Sequence, residues 1–132
     1  MIHTRKTTQD ILQEEVLRER AAILARAGEL LEEAFAKLRK IEREIEEETS
    51  LPGLGDEGGS QAFARSASAG DERLRRIRGI NDRIRAYNRQ REHVRTRLYY
   101  LIVTREAMGL IHHQRHEEIY RIPPRKRVLP EG

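Results

Sequence analysis

Cysteine and tryptophan are absent from the 132 residues, phenylalanine occurs twice and proline four times. Without thiols, structural disulfides, thiolate zinc sites and thiol catalysis are all excluded. Aromatic residues make up 5% of the chain against 36% charged residues, which leaves too little bulky apolar material for a thick, multilayer core. Long hydrophobic runs are missing too. The longest, Leu98 to Val103, has six residues, far short of the roughly 20 that cross a bilayer. Met1 to Lys6 lead into Thr, Gln and Asp rather than an apolar stretch, so no secretory signal is expected and the expected location is cytoplasmic.

The residues that dominate instead are Arg, Glu, Leu, Ala and Ile, the mixture of long helices and coiled coils. From about Thr8 to Glu48 the apolar residues Leu12, Val16, Ile23, Ala27, Leu30, Ala34, Leu38, Ile41 and Ile45 recur mostly in steps of three and four. That spacing predicts a helix with a coiled-coil seam, with Thr8 or Asp10 as its cap. Residues 49–71 are crowded with Gly, Ser and Pro and read as a flexible loop, with a short helical turn at Gln61 to Arg65. Asp71 then caps a second helix over about 72–120, whose stripe is Ile77, Ile80, Ile84, Tyr87, Val94, Leu98, Leu101, Met108 and Ile119. Two seam positions, Arg91 and Arg105, call for acidic partners or a path to water. The tail, 121–132, must be extended around Pro123 and Pro124. Its apolar residues Ile122, Val128 and Leu129 suit a segment that folds back as a brace; its basic Pro-rich character suits a peptide ligand or a phosphate-touching arm.

Together these elements predict a single all-α domain, an antiparallel two-helix coiled-coil hairpin with a long loop, dimerising into a four-helix bundle. Folding the helices back on each other sets residues whose numbers sum to about 120 side by side, pairing Glu15 with Arg105 and Glu29 with Arg91. The charge split agrees with a hairpin: residues 10–48 carry 12 acids and 7 bases, residues 72–120 carry 6 acids and 12 bases.

Three features carry candidate functions. Around Leu98, Leu101, Ile102, Met108 and Ile111 the second helix is apolar on more than one side, so a second copy is expected there, against Ile11, Leu12, Val16 and Ala21 to Ala25 of the first helix. Arg73, Arg75, Arg76, Arg78, Arg83 and Arg85, with Arg125, Lys126 and Arg127 of the tail, form a candidate phosphate-contacting set, although aromatics for base stacking are scarce. His112, His113 and His116 are the candidate metal ligands: on a continuous helix His112 and His116 are one turn apart, and His3 or an acid would complete the set around a transition metal. No HExxH, di-iron or nucleophile motif accompanies them, and Gly53-Leu54-Gly55 lacks the third glycine of a dinucleotide loop. The expected function is therefore a non-enzymatic, cofactor-free scaffold or adaptor that self-associates and binds a protein partner. Nucleic-acid binding and metal binding are the alternatives.

Overall fold

The computed structural model describes residues 5–52 and 66–132. The chain is all-α, with α1 (Thr8–Thr49), α2 (Ser66–Ala107) and a short α3 (Gln114–Ile119). The two long helices pack against each other as an antiparallel helical hairpin. The Gln90 side chain donates to the Ala34 carbonyl at 3.0 Å, and Arg83 meets Glu48 at 2.9 Å. The Gln90–Ala34 contact is displaced by about one helical turn from the register expected by fold-back. No helix of the described residues is long and apolar enough to cross a membrane.

Each end of α1 is held by its own side chains. The Thr7 hydroxyl accepts from the Asp10 amide, and the Asp10 carboxylate accepts from the Thr7 amide, both at 3.1 Å. This reciprocal capping box makes Thr7 the cap, one residue before the expected Thr8, with Asp10 as its counterpart. At the other end the hydroxyls of Thr49 and Ser50 donate to the carbonyls of Ile45, Glu46 and Glu47 in the last turn, and the Ser50 amide donates to the Glu46 carbonyl at 3.0 Å.

Two boundaries differ from expectation. Helix α2 starts at Ser66, inside the stretch expected as loop 49–71. Ser66 to Ala69 are small residues that a helix anchored further on can recruit, alanine being the best helix former. Residues 53–65, including the turn expected at Gln61 to Arg65, lie outside the described residues. At its far end α2 stops at Ala107 rather than near Tyr120. The Gly109 amide donates to Glu106 at 3.0 Å and the Leu110 amide to Arg105 at 2.9 Å, while Gly109 has φ +85°. These are the two bonds of a Schellman motif, which needs a left-handed residue that glycine adopts without a Cβ penalty.

The chain forms two compact units, one of Met1–Glu33 with Thr96–Arg121, the other of Ala34–Arg95 with Ile122–Gly132. The second unit has a continuous apolar interior: Ala34, Phe35, Leu38 and Ile45 from α1 meet Ile77, Ile80, Ile84, Tyr87 and Val94 from α2. The tail folds back along this part of α2, which is the brace expected of it. Asn81, fully buried, donates to the Leu129 carbonyl at 2.9 Å and accepts from the Leu129 amide at 2.7 Å. Asn88 does the same for Lys126, at 3.0 and 2.9 Å. Arg91 donates to the Pro123 carbonyl at 2.7 Å, and Arg78 meets Glu131 at 3.1 Å. The tail therefore runs antiparallel to α2. The Lys126 side chain turns inward, 4.9 Å from the Tyr87 ring centre and 3.7 Å from Glu42. Burial, followed by the negative charge of Glu42, raises the Tyr87 pKa.

The clamps predict a graded cost. Asn81→Ala should lower unfolding free energy by about 2–3 kcal/mol, because it removes two hydrogen bonds and leaves the Leu129 backbone groups unpaired in a covered site. Asn88→Ala, at a half-buried position, should cost about 1 kcal/mol. Urea denaturation followed by circular dichroism measures both, and equal or negligible effects would contradict the clamp.

Candidate functional site

The first unit contrasts with the second in how little of its apolar surface is covered. Among its described residues Leu31 and Leu101 are the buried large apolar ones, whereas Ile11, Leu12, Val16, Leu17 and Ile23 of α1 stand exposed. So do Tyr99, Tyr100 and Val103 of α2, Leu110 and Ile111 of the connector, and Ile119 of α3. The exposed α1 residues follow from its heptad pattern. Gln9, Leu12, Gln13, Val16, Leu17 and Arg20 recur every three or four residues and line one shallow groove on the helix.

The expected interface residues divide accordingly. Leu12 is 55% exposed, Val16 45% and Ile111 70%, so these three are free to meet another molecule. Leu98, Ile102 and Met108 are half-buried. Leu101 is 4% exposed and belongs to the unit's own interior, the opposite face of α2 from Tyr99 and Val103. Of the residues exposed here, Leu17 is the one outside the expected apolar set, and the off-seam positions of an over-apolar helix are where such exposure falls.

The arginine set lies in the second unit, and much of it is engaged. Arg76 donates to the carbonyls of Pro52 and Leu51 at 2.7 and 3.4 Å, and Arg83 bridges to Glu48 and Glu44. Arg75 meets Glu72 at 3.5 Å, Arg78 meets Glu131, and Arg85 meets Asp82 at 3.2 Å. Arg73, Arg125 and Arg127 are exposed, while Lys126 is drawn inward by Tyr87 and Glu42. The two seam arginines take partners other than the acids expected. Arg91 binds the Pro123 carbonyl and Glu92 at 2.8 Å, and Glu29 is engaged with Arg26. Arg105 donates to the His112 carbonyl at 3.0 Å and to His113 Nδ1 at 3.4 Å rather than to Glu15. A backbone carbonyl satisfies a guanidinium donor as well as a carboxylate does geometrically, and the sequence pattern cannot announce it.

The histidines lose their expected arrangement at the Schellman turn. His112 lies in the connector and His113 caps α3, so His112 and His116 do not share a helical turn. Among the described residues no group of three or more His, Asp or Glu side chains is placed to hold a metal ion, and His3 lies outside them. His113 Nε2 sits 3.1 Å from a Glu106 oxygen without hydrogen-bond alignment. His116 Nδ1 is buried without a hydrogen-bond partner, its ring 6.5 Å from that of Tyr120. The Tyr120 hydroxyl in turn donates to Glu32 at 2.9 Å, tying the end of α3 to α1. Burial pushes the His116 pKa below its ordinary 6.5, assisted by the positive Arg105 and by His113 and Arg115.

The sign of this shift fixes a pH dependence. The unfolded chain takes up the His116 proton at higher pH than the folded chain, so stability falls as pH drops below 6.5. The thermal midpoint should therefore decrease from neutrality to about pH 5, above the range where ordinary carboxylates titrate. His116→Phe should flatten that decrease; an unchanged slope in the variant would show that the buried imidazole is not its source.

No protein family, curated protein or solved structure matches this chain.

Proposed function

We propose that the protein is a non-enzymatic helical scaffold that self-associates through its first unit, as a dimer whose α1 and α2 segments complete a four-helix bundle, and serves as an adaptor for a protein partner. The observation that carries this reading is the exposed apolar surface of Ile11, Leu12, Val16, Leu17, Tyr99 and Ile111, with neighbours on both helices, in a unit with little interior of its own. Each such side chain is about half covered within the chain, so burying the remainder is worth about 1 kcal/mol per residue. The eleven exposed among the described residues of this unit supply about 11 kcal/mol, on the scale of the ~4–15 kcal/mol that association costs in lost freedom.

Charge does not oppose a second copy as the occupant. Residues 1–33 hold seven acids against five bases, and residues 96–121 hold three acids against four bases. The unit as a whole is therefore net −1, and two copies meet without strong repulsion.

Leu12→Asp combined with Val16→Asp tests the reading. Both side chains are exposed in the single chain, so helicity by circular dichroism should be retained. In sedimentation equilibrium the unaltered protein should be a dimer at micromolar concentration and the variant a monomer, with the dimer weakened by at least ~100-fold because carboxylates enter a desolvated contact. A monomeric parent protein, or a variant that keeps the parent's mass, would refute it.

A further inference from the structure

The tail does more than cover the second unit, because it brings two basic segments together that are far apart in sequence. Asn88 holds both backbone groups of Lys126. With Lys126 turned inward onto Tyr87, its neighbours Arg125 and Arg127 are left exposed, as the three-residue step of the tail from Lys126 to Leu129 requires. Arg125 is thereby set beside α2, where Arg85, Asn88, Arg89, Glu92 and Arg125 line a recess of about 280 Å³.

Among the described residues Arg89, Arg125 and Arg127 form no ion pair. The acid in the recess, Glu92, is held by Arg91 at 2.8 Å and Arg95 at 3.4 Å, which offsets its charge. Arg85 shares its charge with the exposed Asp82. The recess is therefore a net cationic site framed by planar guanidinium forks, which match the paired oxygens of a phosphate better than ammonium groups do.

We propose that this strap-assembled arginine cluster binds the phosphodiester backbone of nucleic acid, independently of base sequence. Arg89 and Arg125, which line the recess, make the central phosphate contacts, and the exposed Arg127 follows on the same strap. Asn81 and Asn88 are positioning residues that hold the strap in register. The chemistry favours nucleic acid over a lipid surface, since among the described residues of this unit Leu51 and Val128 are the exposed large apolar ones and an interfacial membrane site needs a broad apolar face beside its charge. Base-specific readout is not part of the proposal, because no aromatic side chain lines the recess.

Fluorescence anisotropy with labelled single- and double-stranded DNA of about 20 nucleotides, titrated with the full-length protein from about 50 to 200 mM salt, tests it. Binding in the micromolar range is expected, with a log–log salt slope of about −2 to −3, as about three phosphate contacts require. Arg89→Ala with Arg125→Ala should weaken binding by at least ~10-fold and bring the slope about two units closer to zero. In the Asn81→Ala/Asn88→Ala background, Arg125→Ala should make no further difference, because the strap no longer holds that guanidinium in the recess. A strap with a merely structural role would leave the Arg125 effect intact there. No binding at low salt, binding indifferent to Arg89 and Arg125, or binding confined to anionic vesicles or polyglutamate would each overturn the proposal.

Discussion

The second unit depends on a match between two periodicities. Seven residues of α-helix rise about 10.5 Å, and three residues of extended chain span about 9–10 Å. Asn81 and Asn88 are seven apart on α2, and the residues they clamp, Leu129 and Lys126, are three apart on the tail. Each carboxamide turns one N–H donor and its acceptor oxygen toward the tail, the complement of a backbone amide and carbonyl, so each clamp pairs both backbone groups of one tail residue. Asparagine is a poor helix former, and two on the inner side of a long helix are tolerated because they bind a second chain segment rather than compete with their own backbone.

From that match follow the differences between the units. Covered by the strap, the second unit buries, among its described residues, eight large apolar side chains, Ala34 and one fully enclosed asparagine. Its arginines are partly consumed in closing it, through Arg76 at the end of α1, Arg83 on the glutamates of α1 and Arg91 on the strap. What remains exposed on it is chiefly charge. The first unit has no such strap and exposes chiefly apolar surface. One sequence composition, with 36% charged and 37% hydrophobic residues, is thus sorted into one surface suited to a packed partner and another suited to a charged one.

Much of the fold was legible in the residues because heptad spacing is a strong local signal. The seam over Leu30, Ala34, Leu38, Ile41 and Ile45 predicts α1 nearly to its ends, and the complementary charges of the two long helices predict their pairing. The end of α2 was not legible from periodicity, since Met108 and Ile119 continue the stripe in number while Gly109 breaks it in conformation. The signal lay in a glycine followed by an apolar residue, which is a C-terminal motif as readily as a weak point in a helix. That one turn also dispersed the histidines, whose apparent spacing presumed a continuous helix. The clamps on the tail could have been suspected from Asn81 and Asn88 beside Ile80, Ile84 and Tyr87, but the partner atoms are backbone and carry no residue code. Arg91 and Arg105 escaped for the same reason, each being satisfied by a main-chain carbonyl.

The most direct measurement is amide hydrogen exchange, read by NMR residue by residue along the tail. The Lys126 and Leu129 amides donate to the buried carboxamides, so they should exchange at least ~100-fold more slowly than those of Arg127 and Val128, whose side chains face solvent. Protection should follow this three-residue step and vanish in Asn81→Ala/Asn88→Ala. Uniformly fast exchange from Ile122 to Gly132, or protection without that step, would contradict the match of helix to strap on which the second unit is built.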